Sequence, residues 1–266
     1  MTILDEIIAY KKNQVADAKL KIPVQKLEKN NLFCRKCISM TESLLSPDRT
    51  GIIAEFKRKS PSRGIINSEA GIEEVTTGYF RSGASGLSIL TEEKYFGGTN
   101  EDLIRARTLN PIPILRKDFV IDEYQITEAK AIGADAILLI AAALDQDRTY
   151  ALASYARSLG LEVVFEVHEK EELEQLNDYV NIVGVNNRDL RSFFVDIERS
   201  VELAGEIPPG LVKISESGIN SPLILKRLKG CGYQGFLIGS NFMRSPEPAK
   251  AFSDFVGLIM SDNDQY

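Results

Sequence analysis

Short runs of apolar and β-branched residues recur along this chain, and their number and spacing constrain its fold more than any other feature. Eight such runs are present, each bounded by turn residues, and they start roughly 20–35 residues apart. Stretches with helical spacing lie between them, for example Tyr150–Ser158, Lys170–Leu176 and Ser221–Leu228. Strands that alternate with helices in this way predict a parallel α/β sheet with both faces covered. The runs are Ile52–Glu55, Gly86–Leu90, Pro113–Leu115, Ala136–Ile140, Glu162–Glu166, Ile182–Val185, Leu211–Ile214 and Phe236–Ile238.

The number of strand–helix units distinguishes between two α/β architectures. Eight units over about 215 residues fit a (β/α)8 TIM barrel, which typically has about 250 residues. A doubly wound sheet would instead carry a Gly-x-Gly-x-x-Gly turn after its first strand. Residues 57–62, which follow the first run, read KRKSPS and do not match that turn. We therefore predict the barrel.

The first 48 residues do not belong to the repeat. Ile3, Leu4, Ile7 and Ile8 have helical spacing, which predicts an N-terminal helical extension over 1–48. The barrel would then occupy 49–266, and the two parts would form a single domain overall. The sequence leaves open whether the extension covers the ligand-binding mouth of the barrel, or instead plugs its bottom or decorates its side.

Composition and charge narrow the classes of partner. Hydrophobic residues make up 44% and charged residues 26%, as in an ordinary globular protein. The longest apolar stretch, Ala136–Leu144, is far shorter than the 20 or so residues of a membrane span. A net charge of −6 argues against bulk affinity for nucleic acid or anionic membranes. Three cysteines and a start that does not resemble a secretion signal predict a cytoplasmic protein without a disulfide framework, and protein partners are not indicated.

The chain has one histidine, His168, and this excludes several chemistries. A three-histidine zinc site is impossible, and neither an H-E-x-x-H motif nor a G-x-S-x-G turn is present. Cys34 and Cys37 have C-x-x-C spacing but lack a second pair, which argues against a zinc or redox role. His168 itself either has a structural role or hydrogen-bonds Glu166. We expect neither a metal nor a cofactor, so acid–base work must fall to lysine, carboxylate or tyrosine side chains.

Ionisable residues close five of the eight predicted strands. Reactive groups of a TIM barrel lie at the carboxyl ends of its strands, and residues two apart share a face. Charges at those ends would pair with one another in the mouth, and such pairing can tune pKa values for acid–base catalysis. The alternative for any one of them is an ordinary solvated loop charge. The residues are Glu55, Lys57, Lys117, Glu166, Arg188 and Glu216.

Two later segments predict phosphate binding. Ser217-Gly218 follows the seventh run, and Gly239-Ser240 follows the eighth. Loops after strands 7 and 8 form the recurrent phosphate site of these barrels, because glycine lets backbone N–H groups approach the phosphate oxygens. Ser60, just beyond Lys57, would add a hydroxyl to the same anion.

Several strings taken together resemble indole-3-glycerol phosphate synthase, the barrel enzyme of tryptophan biosynthesis. The likeness covers nearly the whole chain, and the first two strings are the most specific. Departures are small: Phe56, Lys213 and Ser215 stand where the family usually has aliphatic or apolar residues. The strings are Ile53–Ser62, Leu115–Phe119, Phe165–His168, Val185–Leu190, Glu216–Ile219 and Ile238–Ser240.

The resemblance implies a phosphorylated small-molecule substrate, 1-(2-carboxyphenylamino)-1-deoxy-D-ribulose 5-phosphate. It also implies ring closure with loss of CO2 and water, catalysed by a carboxy-lyase that needs neither metal nor cofactor. The implied catalytic residues are Lys117, Glu166, Lys57, Glu55, Asn186 and Glu216. The implied substrate-binding residues are Ser60, Phe119, Arg188 and Ser217, with the phosphate on Ser60, Gly218, Gly239 and Ser240.

Each implied role matches a chemical need of that reaction. Lys117 would protonate the developing alkoxide, and nearby cations in a partly desolvated mouth would lower its pKa. Lys57, helped by Arg188 and Asn186, would orient the departing carboxylate. Glu166 would take the anilinic proton, while Glu55 and Glu216 would hold the lysines and the sugar hydroxyls. The sequence leaves open which lysine donates each proton, and whether Glu166 or Glu55 is the base.

Two rival functions remain at the level of sequence. A phosphosugar isomerase on the same barrel would need one acid–base pair but no cation for a leaving carboxylate. A barrel kept as a binding or scaffolding subunit would need none of these side chains, and the intact set of strand-end charges argues against it.

Overall fold

The computed structural model describes residues 2–189 and 191–261, so Leu190 and the predicted end of the barrel at 262–266 lie outside the described residues. Its centre is a closed barrel in which every neighbouring pair of strands is parallel. The barrel strands found in the described residues are β1 (Ile52–Phe56), β2 (Gly86–Leu90), β3 (Ile114–Lys117), β4 (Ala136–Ile140), β5 (Glu162–Val167), β6 (Ile182–Asn186), β7 (Val212–Glu216) and β8 (Gly235–Ile238).

Closure of the sheet confirms the TIM barrel and excludes the doubly wound alternative. Strand β1 pairs with both β2 and β8, with Ile53 opposite Gly86 and Ile52 opposite Phe236. Five strands run one or two residues further than predicted, through Phe56, Lys117, Val167, Asn186 and Glu216. Sequence rules that penalise polar and charged residues in strands miss the ends at Lys117, Asn186 and Glu216, because here these side chains find partners inside the mouth.

Helices cover the outside of the barrel and precede it. A short antiparallel hairpin of Lys59–Ser60 and Gly64–Ile65 follows β1. No helix of the described residues is long and apolar enough to cross a membrane. The helices are α1 (Ile3–Lys21), α2 (Val24–Leu27), α3 (Met40–Leu45), α4 (Ile72–Arg81), α5 (Glu93–Phe96), α6 (Asn100–Leu109), α7 (Glu123–Ile132), α8 (Gln146–Ser158), α9 (Glu198–Leu203), α10 (Pro222–Gly230), α11 (Ser240–Met243) and α12 (Pro248–Ser261).

One predicted helix differs from the structure. Lys170–Leu176 was expected to be helical with ordinary spacing, whereas Lys170–Gln175 forms a 3₁₀ helix. A capping box at Glu169 and Glu172 starts the turn, but none of its residues is buried. Only Leu173 of this segment packs on the core, and it is only partly buried, so the segment has few of the tertiary contacts that stabilise a longer α-helix.

The N-terminal extension covers both ends of the barrel, so the two alternatives that the sequence left open both occur. Met40 and Leu44 of α3 are buried against Ile53 and its neighbours at the bottom of the interior. Glycine at the start of β2 makes room for them, since a Cβ on Gly86 would lie 2.5 Å from the Met40 sulfur. At the other end, α1 borders the mouth through Ile3, Leu4 and Ile7. The division at residue 48 stays a prediction.

A buried ion pair fastens α1 to the barrel. Lys11 Nζ lies 2.7 Å from Asp118 Oδ1, and both side chains are 2% exposed. Asp118 also accepts a hydrogen bond from Thr91 Oγ1 at 2.7 Å and directly follows the last residue of β3. Breaking such a pair on one side leaves a buried charge without compensation, which typically costs about 3–5 kcal/mol.

We predict that Lys11→Met lowers the free energy of unfolding by about 3 kcal/mol, because Asp118 loses its closest cation. Urea unfolding followed by circular dichroism measures this change. Lys12→Met is the matched control, since Lys12 is the next residue on the same helix and is exposed. It should change stability by no more than about 0.5 kcal/mol. Equal effects of the two substitutions would contradict a structural role for the buried pair.

Candidate active site

A cavity of about 500 Å³ opens at the carboxyl ends of the barrel strands. Parallel strands bring these ends together, and the i, i+2 alternation aims their last inward residues into the same space. All thirteen site residues predicted from the sequence line this cavity: Glu55, Lys57, Ser60, Lys117, Phe119, Glu166, Asn186, Arg188, Glu216, Ser217, Gly218, Gly239 and Ser240.

Lys117 lies at the centre of the charged floor of the cavity. Its Nζ is 2.9 Å from Glu166 Oε2 and 3.4 Å from Glu216 Oε2. Burial alone would lower the pKa of the amine, but the surrounding carboxylates, Glu166 foremost, outweigh burial and raise that pKa above its ordinary value. The prediction of a lowered pKa is therefore wrong for the free protein. Its physical reason is that Lys117 faces carboxylates, whereas the prediction had placed it among cations.

Glu166 is held through both of its carboxylate oxygens. Oε2 pairs with Lys117, and Oε1 accepts a hydrogen bond from Asn186 Nδ2 at 3.1 Å. Burial by itself would raise the pKa of this carboxyl, but the charges of Lys117 and His168 and these hydrogen bonds lower it to about 2. Glu166 is therefore ionised over the whole physiological range.

Glu216 has the opposite electrostatic character. Its Oε1 is buried with no hydrogen-bond partner in the part of the chain that the structure describes. Burial raises the pKa of this carboxyl most; Lys117 opposes the shift, and the charges of Glu166 and Glu55 add to it, giving a pKa of about 8. Glu216 therefore holds a proton at neutral pH, next to a carboxylate that does not. Two carboxyls whose pKa values are separated in this way are typical of acid–base sites.

Two glycines, one in β6 and one directly after β8, create the space for the carboxyl groups of Glu216 and Glu55. A Cβ on Gly184 would lie 2.4 Å from Glu216 Oε1, and one on Gly239 would lie 2.4 Å from Glu55 Oε1. Glu55 in turn contacts the Lys57 ammonium, its neighbour two residues along the chain. Sequence reasoning missed Gly184, although a glycine inside an apolar strand signals a close approach of another group.

The turn after β7 is held in an unusual backbone conformation. Ser217 and Gly218 both have positive φ, 68° and 78°. Asn187 Nδ2 donates a hydrogen bond to the Ser217 carbonyl at 3.1 Å, which fixes this non-glycine residue in the left-handed region. Such strain persists only where surrounding contacts determine it, and it concentrates at functional sites.

The rim of the cavity is cationic. Arg188 donates from Nη1 to the Phe193 carbonyl at 3.0 Å, and burial together with nearby Arg63 lowers the pKa of its guanidinium. Arg63 and Arg244 also line the cavity, close in sequence to Ser60 and Ser240 respectively. Sequence reasoning missed these two arginines because it searched strand ends and the first loop residues only.

The C-x-x-C pair of Cys34 and Cys37 lies outside the cavity. Cys34, Cys37 and Cys231 are free thiols, and none of them lines the cavity. Across residues 2–189 and 191–261, the side chains form no cluster of three or more His, Cys, Asp or Glu arranged to hold a metal ion.

We predict that Glu216→Gln changes stability in a pH-dependent way. Between the ordinary value of 4.5 and about 8, the folded protein retains a proton on Glu216 that the unfolded chain releases. Wild-type stability therefore falls as pH rises through this window, and glutamine removes that penalty. The variant should match wild type near pH 4.5 and exceed it by about 2–4 kcal/mol at pH 9, since one pKa unit corresponds to about 1.4 kcal/mol.

Urea unfolding at pH 5, 7 and 9 measures this difference. Glu202→Gln, at an exposed position, controls for the loss of one carboxylate from the overall charge. A stability difference between Glu216→Gln and wild type that stays constant across the three pH values would contradict the raised pKa.

Comparisons with known proteins identify the family. The model of the family described as "Indole-3-glycerol phosphate synthase" matches residues 4–255. An indole-3-glycerol phosphate synthase of Bacteroides thetaiotaomicron is 49% identical over 97% of this chain and 98% of its own length. One from Carboxydothermus hydrogenoformans is 41% identical over 93% and 97%. A solved chain of the tryptophan synthase complex from Pyrococcus furiosus shares the fold, with a TM-score of 0.58 at 14% identity over 79% of this chain and 97% of that one. The chain therefore belongs to the indole-3-glycerol phosphate synthase family.

Proposed function

We propose that this protein converts 1-(2-carboxyphenylamino)-1-deoxy-D-ribulose 5-phosphate into indole-3-glycerol phosphate, CO2 and water, as a carboxy-lyase of tryptophan biosynthesis. The observation that carries the proposal is Lys117, held between an ionised Glu166 and a protonated Glu216 in a cavity at the carboxyl ends of a barrel of this family. A charged amine, a carboxylate base and a neutral acid within one cavity are the groups that ring closure and dehydration require.

Ring closure is assigned to Lys117. The aryl carbon that bears the carboxylate attacks the C2 ketone, and Lys117 donates a proton to the oxygen that becomes an alkoxide. The raised pKa keeps the amine charged in the free enzyme. The protonated state of Glu216 supports the transfer, because one fewer negative charge faces the ammonium as it loses its proton.

Loss of CO2 is assigned to the cations of the rim. Lys57 contacts Glu55 in the free protein and lies where a substrate carboxylate would meet it on entering the cavity. Arg188 and Asn186 complete this group, with the Arg188 backbone N–H bonded to Asn186 Oδ1 at 3.0 Å. Departure of CO2 restores the aromatic ring and leaves the hydroxyl from the ketone in place.

Dehydration is assigned to Glu166 as base. Glu166 takes the anilinic proton, and the hydroxyl leaves with a proton from a lysine of the cavity. Loss of one proton from the adjacent methylene carbon and return of a proton to the nitrogen then complete the indole. Phe119 lies beside the cavity floor as an apolar surface for the aryl ring. Glu55 and Glu216 hold the lysines and the sugar hydroxyls in place.

The phosphate is assigned to the loops after β7 and β8, together with Ser60 in the loop after β1, the strand next to β8. Gly218, Gly239 and Ser240 line the cavity, where their backbone N–H groups would bind the phosphate oxygens, and Arg63 and Arg244 add positive charge to the same cavity. We further propose that the enzyme works in the cytoplasm, which its three free thiols support.

We predict that Lys117→Met abolishes product formation, with kcat reduced by about 10³-fold or more, because no other group replaces the proton donor. The assay incubates the carboxyphenylamino-deoxyribulose phosphate with purified protein and follows indole fluorescence and CO2 release. Lys213→Met is the matched control, since Lys213 is also a strand lysine but its Nζ leaves the barrel to reach the Ala204 carbonyl at 2.9 Å. It should retain activity within about threefold.

Other results of this experiment would distinguish a wrong residue assignment from a wrong function. Product from Lys117→Met at the wild-type rate would keep the function and overturn the assignment of Lys117. Substrate turnover without CO2 would favour an isomerase. A folded wild-type protein that turns over nothing would overturn the proposed function.

We predict that Ser240→Asp raises KM about tenfold or more while kcat changes little, because a carboxylate at this position repels the substrate phosphate. Steady-state kinetics over a range of substrate concentrations give both constants. Ser253→Asp, on the exposed surface of α12, introduces the same charge away from the cavity and should leave KM unchanged. An unchanged KM in Ser240→Asp would remove Ser240 from the phosphate site.

A further inference from the structure

The ring of His168 is buried between two carboxyl groups, and neither of its nitrogens is hydrogen-bonded within the described residues. It lies two residues beyond Glu166 and is 8% exposed. Its Nε2 is 3.6 Å from Glu166 Oε1, and its Nδ1 is 3.8 Å from Glu172 Oε2. Neither ring nitrogen has a hydrogen-bond partner among the described residues, so the hydrogen bond to Glu166 that the sequence left open is not formed. A buried polar ring in this state calls for an explanation, because an unsatisfied polar group costs about 1–3 kcal/mol.

A carboxyl group lies on each side of the ring. Glu172 is fixed on one side, because its Oε2 accepts the backbone N–H groups of His168 at 2.5 Å and Glu169 at 3.2 Å. Glu166 lies on the other side of the ring. Its Oε1, which faces His168, accepts a hydrogen bond from Asn186, and its Oε2 pairs with Lys117. The neighbouring 3₁₀ turn, Ala141–Ala143, presents only alanine side chains. An imidazolium between two carboxylates is stabilised by both of them.

The proposed reaction creates a need for a second cation at Glu166. Lys117 is the main counter-charge of Glu166, yet it gives up its proton during ring closure. From that moment a buried Glu166 would lose much of what keeps it ionised, since burial alone favours its protonated form. Glu166 must nevertheless stay ionised in order to accept the anilinic proton in the later dehydration.

We propose that His168 is a positioning residue whose imidazolium, acting on Oε1 of Glu166, keeps that carboxylate ionised and oriented while Lys117 lacks its proton. His168 is not among the residues that line the cavity, so it acts through Glu166 and does not touch the substrate. The proposal rests on the proposed function for its role in catalysis. The pairing of the ring with Glu166 can be tested without any catalysis.

The first test uses the fact that the chain has one histidine. In tag-free protein, the imidazole Cε1–H signal in NMR belongs to His168 alone, and its shift against pH gives the pKa of the ring. Glu166→Gln should lower that pKa by about one unit, because a negative neighbour is removed. Glu171→Gln, at an exposed position three residues beyond the histidine, is the control and should leave it unchanged. An identical His168 pKa in wild type and Glu166→Gln would overturn the proposal, whether or not the protein is active.

The second test separates charge from packing in the working enzyme. His168→Asn and His168→Phe both remove the charge, but phenylalanine keeps the ring volume. If the charge acts on Glu166, the acidic limb of the kcat profile moves to higher pH by about one unit in both variants. A purely structural histidine would leave the limb in place in His168→Phe, and that result would overturn the proposal. If a variant fails to fold, as thermal unfolding would reveal, the NMR comparison of wild type with Glu166→Gln still decides. A wild-type protein without synthase activity would remove the catalytic role but leave the NMR result standing.

Discussion

The pairing of Lys117 with buried carboxylates is the interaction on which the rest of this structure depends. Buried charges are stable only when nearby groups of opposite charge or hydrogen-bonding groups compensate them. A layer of charged side chains at the end of a packed barrel therefore depends on the identity of each residue around it. Asn186 takes one oxygen of Glu166, and Gly184 leaves space for Glu216. Below this layer the interior is apolar, with Leu115 and Val164 among its buried residues. The charged side chains that line the cavity therefore lie at one end of the barrel interior.

The N-terminal extension packs against both ends of the barrel. At the bottom, Met40 and Leu44 fill a gap that the first glycines of β2 and β8 leave open. At the mouth, α1 brings apolar side chains to the cavity and one buried ammonium, Lys11, to Asp118. Asp118 is the neighbour of Lys117 in the chain, so the extension and the centre of the site share one strand end. A segment outside the eightfold repeat is in this way part of the environment of the site.

The sequence predicted which residues meet at the mouth but not how they pair. Alternation along each strand is local, so Glu55, Lys117 and Glu166 could be aimed inward, and Lys213 outward, from spacing alone. Pairing depends on how strands are staggered around the barrel, which spacing does not reveal. The register sets Glu166 beside Gly184 and Asn186 beside Glu216. The pKa of Lys117 was predicted in the wrong direction for this reason, since its sign depends on which charges lie nearest. An ordinary helix was predicted at Lys170–Gln175 because its polar sequence permits one, but only Leu173 of the segment packs on the core, and a 3₁₀ helix forms instead.

Separation of charge with depth explains how an acidic protein can accept an anion at this site. The chain carries −6 overall, and the carboxylates of the cavity lie deep, with Glu166 and Glu216 each 2% exposed. Lys57, Arg63 and Arg188 line the same cavity and are less buried than these carboxyl groups, so an entering phosphate or carboxylate can reach them. Binding at the rim sets substrate and Glu55 in competition for the Lys57 ammonium, because an ammonium shared between two anions holds each less tightly. The deep carboxylates are then left to Lys117 and, on the far side of Glu166, to His168. An anionic substrate can thus be bound by one set of cations while a different set controls the protons.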